Sequence, residues 1–401
     1  MTGSPDLSAA IDLTGWERLL AALVRTPSHP GIARQEERAA SLLADWLAER
    51  GVETTLDPAA PGRPNVIAHV EGRKPGRHLV LCGHTDTVPL NAGEPGAGFS
   101  AEVRDGLLWG RGACDMKGGL TAMAAALAAL AATGSLSAGE LTLAAVVDEE
   151  MQSLGAEHLV ASGIRADGAI VGEPTGNRLA LGHRGLEWLE VSFRGRAAHG
   201  GTPSAGINAV AAAARFVTRV EDELLPALAR RAEGPLGAPT LNVGTIRGGD
   251  QPSTVAAECV VTLDRRTVVS ETFDGVLDEL ERLLAPVREG FPGLETSIRR
   301  VPGGMATLEH RATLLAPDHA LARAVAAARA DVVGADEPST IFPAWTDASL
   351  LSHFAGIPSV VLGPGDLSVA HSPREHVPLA EVRAAARIYA GAAIVFCGSA
   401  A

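Results

Sequence analysis

Short, continuously apolar runs, most of them ending in or directly followed by a histidine or a carboxylate, recur along this chain and restrict its fold more than any other feature. They are 65–70 (NVIAHV), 78–83 (HLVLCG), 141–147 (LTLAAVV), 168–173 (GAIVGE) and 357–363 (IPSVVLG). Helical patterns over 35–50, 118–132 and 155–162 lie before or between them, and a last helix is expected over 379–396. A strand without an outward polar face has to be covered on both sides, and strands that alternate with helices return in the same direction. The fold class expected is therefore α/β, with a mainly parallel sheet sandwiched by helices.

The middle of the chain has a different rhythm. From 186 to 301 the order is strand, helix, strand, strand, helix, strand, which is the split α+β ferredoxin-like unit. At 401 residues the chain exceeds one ordinary core. The expected division is a main domain of 1–184 and 304–401 with an inserted domain at 185–303, the helix around 318–333 returning the chain to the first.

Acidic residues outnumber basic ones 47 to 34, for a net charge of -13, which argues against a nucleic-acid partner. Cys82, Cys114, Cys259 and Cys397 lie far apart in or beside apolar runs, so buried free thiols are expected. The N-terminus has no basic stretch followed by an apolar core, so no secretory signal is read there. The longest apolar helical stretch, 120–132, is shorter than the roughly 20 residues of a membrane span. These features together predict a soluble, cytoplasmic protein with no membrane partner.

The polar residues that follow the strands are of metal-binding type. LVLCGHTDTVP carries His84 and Asp86, LAAVVDEE carries Glu149 and Glu150, AIVGEPT carries Glu173, GPGDLSVAHSPREHV carries His371, and GRGACDMKGG places Asp115 ahead of a helix. In an open parallel sheet, ligands bind beyond the carboxyl ends of the strands, so residues far apart in sequence can converge there. Each also has a plainer reading. Asp115 suits the N-cap of the 118 helix, Glu173 a turn before Pro174, and His371 a loop. Taken jointly, two histidines and three carboxylates suit zinc or a similar divalent ion. The three carboxylates leave a pair of zinc ions one positive charge in excess, enough to hold a hydroxide and polarise a carbonyl. An imidazole with a carboxylate two residues on, as in HTD, can use it to fix its tautomer.

The motifs GHTDTVP, GRGACDMKGG, DEE, VGEPT and GPGDLSVAHSPREHV, in this order over nearly the whole chain, resemble those of the dinuclear zinc deacylase and carboxypeptidase family. The family includes acetylornithine deacetylases, succinyl-diaminopimelate desuccinylases and aminoacylase-like metallopeptidases. The resemblance implies two zinc ions per subunit, with cobalt or manganese as substitutes. His84 and Glu173 would bind one, Glu150 and His371 the other, and Asp115 would bridge. It also implies that Asp86 orients His84 and that Glu149 is the general base and acid. In the inserted domain, expected to act as lid and homodimer contact, GRAAHGGTP places His199 where the family stabilises an oxyanion. Arg184, Asn242, Ser253 and Arg266 fall in segments resembling those that contact substrate.

Three departures bear on the substrate. PAWTDAS puts Trp345 where desuccinylases carry a small or hydroxyl residue, Ala256 replaces a common proline, and LNAGEPGAGF lacks a common tryptophan. The expected function is hydrolysis of the amide bond of N-acyl amino acids or similar small carboxylate-bearing substrates, with the acyl group open. A dipeptidase or carboxypeptidase with the same site is the alternative. N-Carbamoyl hydrolysis is less favoured by GRGACDMKGG, and a non-catalytic binding protein is disfavoured because Glu149 and all five ligands are retained.

Overall fold

In the computed structural model, which describes residues 7–91, 96–304, 308–334 and 337–399, the apolar runs become strands. The strands His78–His84, Glu140–Val146 and Gly168–Val171 are buried at nearly every position, so alternate side chains enter cover on both faces. By its internal contacts the chain divides into two compact units. One comprises Met1–Gly182, Leu314–Phe342 and Thr346–Ala401, the other His183–Thr313 and Pro343–Trp345.

The sheet of the first unit has a parallel centre. Glu140–Val146, His78–His84, Gly168–Val171 and Ser359–Val361 lie side by side in that order, each parallel to the next. Arg63–Glu71 pairs antiparallel to Glu140–Val146, and Glu53–Ala60 pairs antiparallel to Arg63–Glu71 at the edge. The edge strand, ETTLDPAA, is largely exposed and contains Pro58, which an edge tolerates because no further neighbour needs that N–H. Its composition hides it from a reading based on apolar runs. The same holds for a small sheet of three-residue strands, Glu102–Arg104, Leu107–Trp109 and His376–Pro378, each too short to show a period.

The helix Gly118–Thr133 is buried on all sides through Leu130 and packs beside Leu379–Gly398. Its first turn comes close to the sheet, since a Cβ on Gly119 would lie 2.1 Å from the carbonyl oxygen of Gly172. Only glycine permits that approach beside the strand that leads to Glu173. With the preceding turn, 113–133 reaches 21 residues and contains an 18-residue window of mean hydropathy 1.3, so by length and composition it could cross a membrane. Here 83% of its apolar window is buried inside the protein. The four cysteines are buried and unpaired.

The second unit is the βαββαβ arrangement. Its antiparallel sheet runs Thr240–Gly248, Glu258–Arg266, Glu187–Arg194, Glu295–Arg300, with helices Ala209–Arg219 and Phe273–Gly290 on one face. Both helices start at side-chain caps. Asn208 accepts from the Ala211 N–H at 3.0 Å and Thr272 from the Gly275 N–H at 3.2 Å. Phe193 and Phe216 meet in the core with ring centroids 5.7 Å apart, surrounded by Val261, Leu263, Leu280 and Leu284.

Candidate active site

Three adjacent parallel strands end at the same edge of the first unit's sheet, and the residues at or just beyond their ends are His84, Glu149 with Glu150, and Glu173. His371 enters from the loop that follows Ser359–Val361. Asp115 comes from the tight turn Ala113–Lys117, where its backbone leaves helical geometry (φ -120°, ψ 98°) and the Asp115–Met116 peptide is cis. Asp115 is therefore no N-cap. That position belongs to Lys117, whose side chain makes no capping bond.

The side chains meet. His84 Nε2 lies 3.2 Å from Asp115 Oδ1 and 3.6 Å from Glu173 Oε1. His371 Nε2 lies 3.2 Å from Asp115 Oδ2 and 3.1 Å from Glu150 Oε1. Asp115 thus turns one oxygen toward each histidine. Glu149 joins His84 and Glu173 in a group whose ligand atoms are within 4.8 Å of one another. Two donors at zinc, each about 2.0–2.1 Å from the ion at the tetrahedral angle, lie about 3.4 Å apart. The four separations bracket that value, and the N/O donor set suits a divalent ion. The residues present fit a metal centre.

Electrostatics point the same way. Burial, then the charge of Glu173, pushes the Glu149 carboxyl well above its ordinary pKa, and burial with Asp115 does the same to Glu173. Glu150 is raised by burial and by Asp115. Burial pulls His84 down, but Asp115, Asp86 and Glu173 outweigh it and hold the imidazolium well above its usual range. Hydrogen bonds that His371 donates to the Asp115 and Glu150 carboxylates raise its pKa to about 10. Two carboxylates about 4 Å apart repel by about 4 kcal/mol even at an effective dielectric of about 20. Such a crowd requires protons or cations, and divalent ions supply the larger charge.

Glu149 and Glu150 stand in a turn beyond the strand, which ends at Val146. The turn is set by Asp148, whose backbone is left-handed (φ 68°) and whose carbonyl accepts from the N–H groups of Gln152 at 3.0 Å and Ser153 at 2.7 Å. Turn geometry parts the two glutamates. The Asp148 carboxylate takes Arg63 Nη2 at 2.6 Å, while Arg63 also holds the buried Glu36.

Asp86 is fully buried and has two tasks. Its backbone carbonyl lies 3.0 Å from His84 Nδ1, closer than its carboxylate at 3.5 Å, so the carbonyl is the nearer partner fixing the imidazole. The carboxylate instead accepts from the N–H groups of Glu149 (3.2 Å) and Glu150 (3.1 Å). Two buried acids were missed by sequence reasoning. Burial pushes Asp347 up to about 7, and Glu375 accepts from the N–H groups of Cys114 and Asp115. Both lie in quoted motifs, PAWTDAS and HSPREHV, yet nothing in their spacing marks them.

The remaining candidates lie in the second unit. His199 is exposed, with Nδ1 accepting from the Gly201 N–H, and its strand-like bridge to Thr254 puts Ser253 beside it. Asn242 faces outward across from Asp264. Arg266 makes a two-pronged bond to Asp264 (2.7 and 3.0 Å), and Arg184 reaches the Ala238 carbonyl and the Thr240 hydroxyl. Trp345 is buried, stacked on His310 with ring centroids 3.9 Å apart. The substitution LNAGEPGAGF falls partly outside the described residues.

The sequence profile of peptidase family M20/M25/M40 matches residues 80–394, which includes every one of these site residues. The chain belongs to the M20 peptidase family. An acetylornithine deacetylase of Myxococcus xanthus is 33% identical over 361 residues, covering 88% of this chain and 89% of that protein. Among solved structures, the M20 family metallo-carboxypeptidase Sso-CP2 of Sulfolobus solfataricus superposes with a TM-score of 0.77 at 19% identity, covering 96% of this chain and all of that one. The Bacillus subtilis YXEP protein, described as a dinuclear metal binding peptidase, reaches 0.71 at 15% identity, covering 96% and 99%. This M20 chain is a metal-dependent amide hydrolase with a His, Asp and Glu cluster that can hold metal.

Proposed function

We propose that this M20 enzyme hydrolyses the amide bond of small N-acyl amino acids through a dinuclear zinc centre, with Glu149 as general base and acid. The observation that carries the reading is the orientation of Asp115, one oxygen toward His84 and the other toward His371. In this reading His84 and Glu173 hold one ion, Glu150 and His371 the other, and Asp115 bridges. Bound zinc, or cobalt or manganese in its place, would lower the pKa of water and polarise the substrate carbonyl.

Glu149 takes the proton of the attacking water and delivers it to the leaving amine. Burial among carboxylates raises its proton affinity toward the range such a shuttle needs. His199 is assigned to the oxyanion that develops in the transition state. The substrate carboxylate is assigned to Arg184 before Arg266. Arg266 is already neutralised by Asp264, whereas Arg184 spends Nη1 on neutral oxygens. Asn242, Ser253 and Trp345 are assigned to the rest of the substrate. A homodimer through the second unit rests on the resemblance, and sedimentation tests it. A cytoplasmic location is supported by the four unpaired cysteines.

The name of the deacetylase relative favours an acyl amino acid, and that of the carboxypeptidase neighbour favours a peptide as the second reading. The test is a turnover screen of zinc-loaded enzyme on N-acetyl, N-succinyl and N-formyl amino acids beside dipeptides. Acyl amino acids turning over at least tenfold faster supports the first reading. The reverse order replaces it with the second, and turnover of neither removes both.

A further inference from the structure

The geometry points to Glu375 as a positioning residue that holds the bridging carboxylate Asp115 in place by gripping its backbone, an inference that rests on the dinuclear reading above. Glu375 is almost completely buried, as is its partner Arg111. Glu375 Oε2 takes Arg111 Nη1 at 2.6 Å. The other oxygen, Oε1, accepts from two successive backbone N–H groups, Cys114 at 3.2 Å and Asp115 at 3.3 Å.

The same device occurs once more in the site. Asp86 accepts the successive N–H groups of Glu149 and Glu150, so each of these buried carboxylates fastens one ligand-bearing turn. The turn at Asp115 needs such a fastening because its backbone leaves helical geometry and forfeits the intrahelical partners of those N–H groups. Glu375 is itself anchored. Its carbonyl accepts from the Gly110 N–H at 3.0 Å, its N–H donates to Ser372 at 3.1 Å, and His376 next to it pairs with Trp109. His371 lies four residues earlier in the same loop. One loop therefore supplies a ligand directly and fixes a second through its backbone.

A clamp and a structural ion pair make opposite demands on position 375. Glu375→Asp keeps the charge for Arg111 but withdraws the oxygen from the N–H groups by about one C–C bond, about 1.5 Å. The double variant Arg111→Met/Glu375→Gln removes the ion pair but keeps an acceptor oxygen at full reach. Measured on the full chain are zinc affinity by chelator competition, the visible spectrum of the cobalt-loaded protein, kcat and KM, and thermal unfolding. Glu375→Asp should weaken binding of at least one ion by about 10–100-fold, the usual cost of losing a group that orients a ligand. It should also shift the cobalt bands and lower kcat with KM little changed. The neutral double variant should stay within about threefold of the parent in zinc affinity.

The reverse order, or equal losses in both variants, overturns the clamp. Should Glu375→Asp fail to fold, the double variant decides alone, and a loss of tenfold or more in zinc affinity overturns the proposal. The zinc stoichiometry of the unmodified chain, two per chain if the dinuclear reading holds, tests that reading separately because it does not involve Glu375.

Discussion

In the first unit, Asp86, Asp115, Glu149, Glu150 and Glu173 crowd around two histidines, with their repulsion only partly offset by protein groups. In the second unit the candidate polar residues are already at rest, with Arg266 on Asp264, Arg184 on a carbonyl and a hydroxyl, and His199 in solvent. The first region stores unfavourable charge that bound cations relieve, which is how a site can be selective for highly charged ions. The second stores little, so its residues can only add affinity when substrate offers something better than their present partners.

Four measurements test that contrast, the largest effect first. Glu149→Gln should reduce kcat by about 10²–10⁴-fold, the range of general acid–base catalysis, with both ions retained in metal analysis. Near-normal turnover would mean that the crowding serves binding alone. His199→Ala should cost about 10²–10³-fold in kcat if it meets the oxyanion, with zinc affinity unmoved. A change in zinc affinity there would break the separation between the two regions. Asp86→Ala should lower metal affinity by about 10–100-fold, since it frees the glutamate turn and leaves only the backbone carbonyl to hold His84. Unaltered affinity would show that the backbone carbonyl suffices.

The smallest effect is on stability. In metal-free protein, burial raises Asp347 and Glu375 to about 7 from ordinary values near 4, and hydrogen bonds raise His371 to about 10 from 6.5. A group whose folded pKa is raised stabilises the fold below its unfolded value and loses that contribution as pH rises through the folded one. Asp115, held low by His371 and His84 against the pull of burial, is already fully ionised above about pH 5 and adds no slope there. The melting temperature of the metal-free protein should therefore fall from about pH 5 to about pH 7, and zinc should flatten the slope. A metal-free melting temperature that rises over that range would contradict the charge crowding. Above about pH 7 the loss at His371 is opposed by Lys117, whose pKa burial lowers to about 7 and which favours the fold as pH rises.

Much of this was legible in the sequence because strand ends are legible. Continuous apolar runs mark the strands, and a parallel sheet collects whatever follows them, so His84, Glu149, Glu150, Glu173 and His371 could be named without a structure. Asp86 and Glu375 show where such reading stops. Their partners are backbone N–H groups, which every residue has, and the pairing of 375 with 114 exists only after the chain has folded. The left-handed turn at Asp148 is equally silent, since an aspartate before two glutamates reads as strand end or turn alike. The edge strand with Pro58 was hidden because its residues face solvent and carry no apolar signature.

The unpaired cysteines have a practical consequence. Thiol reagents attack the thiolate, and burial pushes the Cys82 and Cys114 thiols well above their ordinary pKa and Cys397 up to about 12. Cys114 adjoins Asp115, so alkylating it would block the centre, yet the folded protein offers no nucleophile there. The native enzyme should thus withstand iodoacetamide and storage without reductant, and labelling of Cys114 becomes a clock for the opening of the fold.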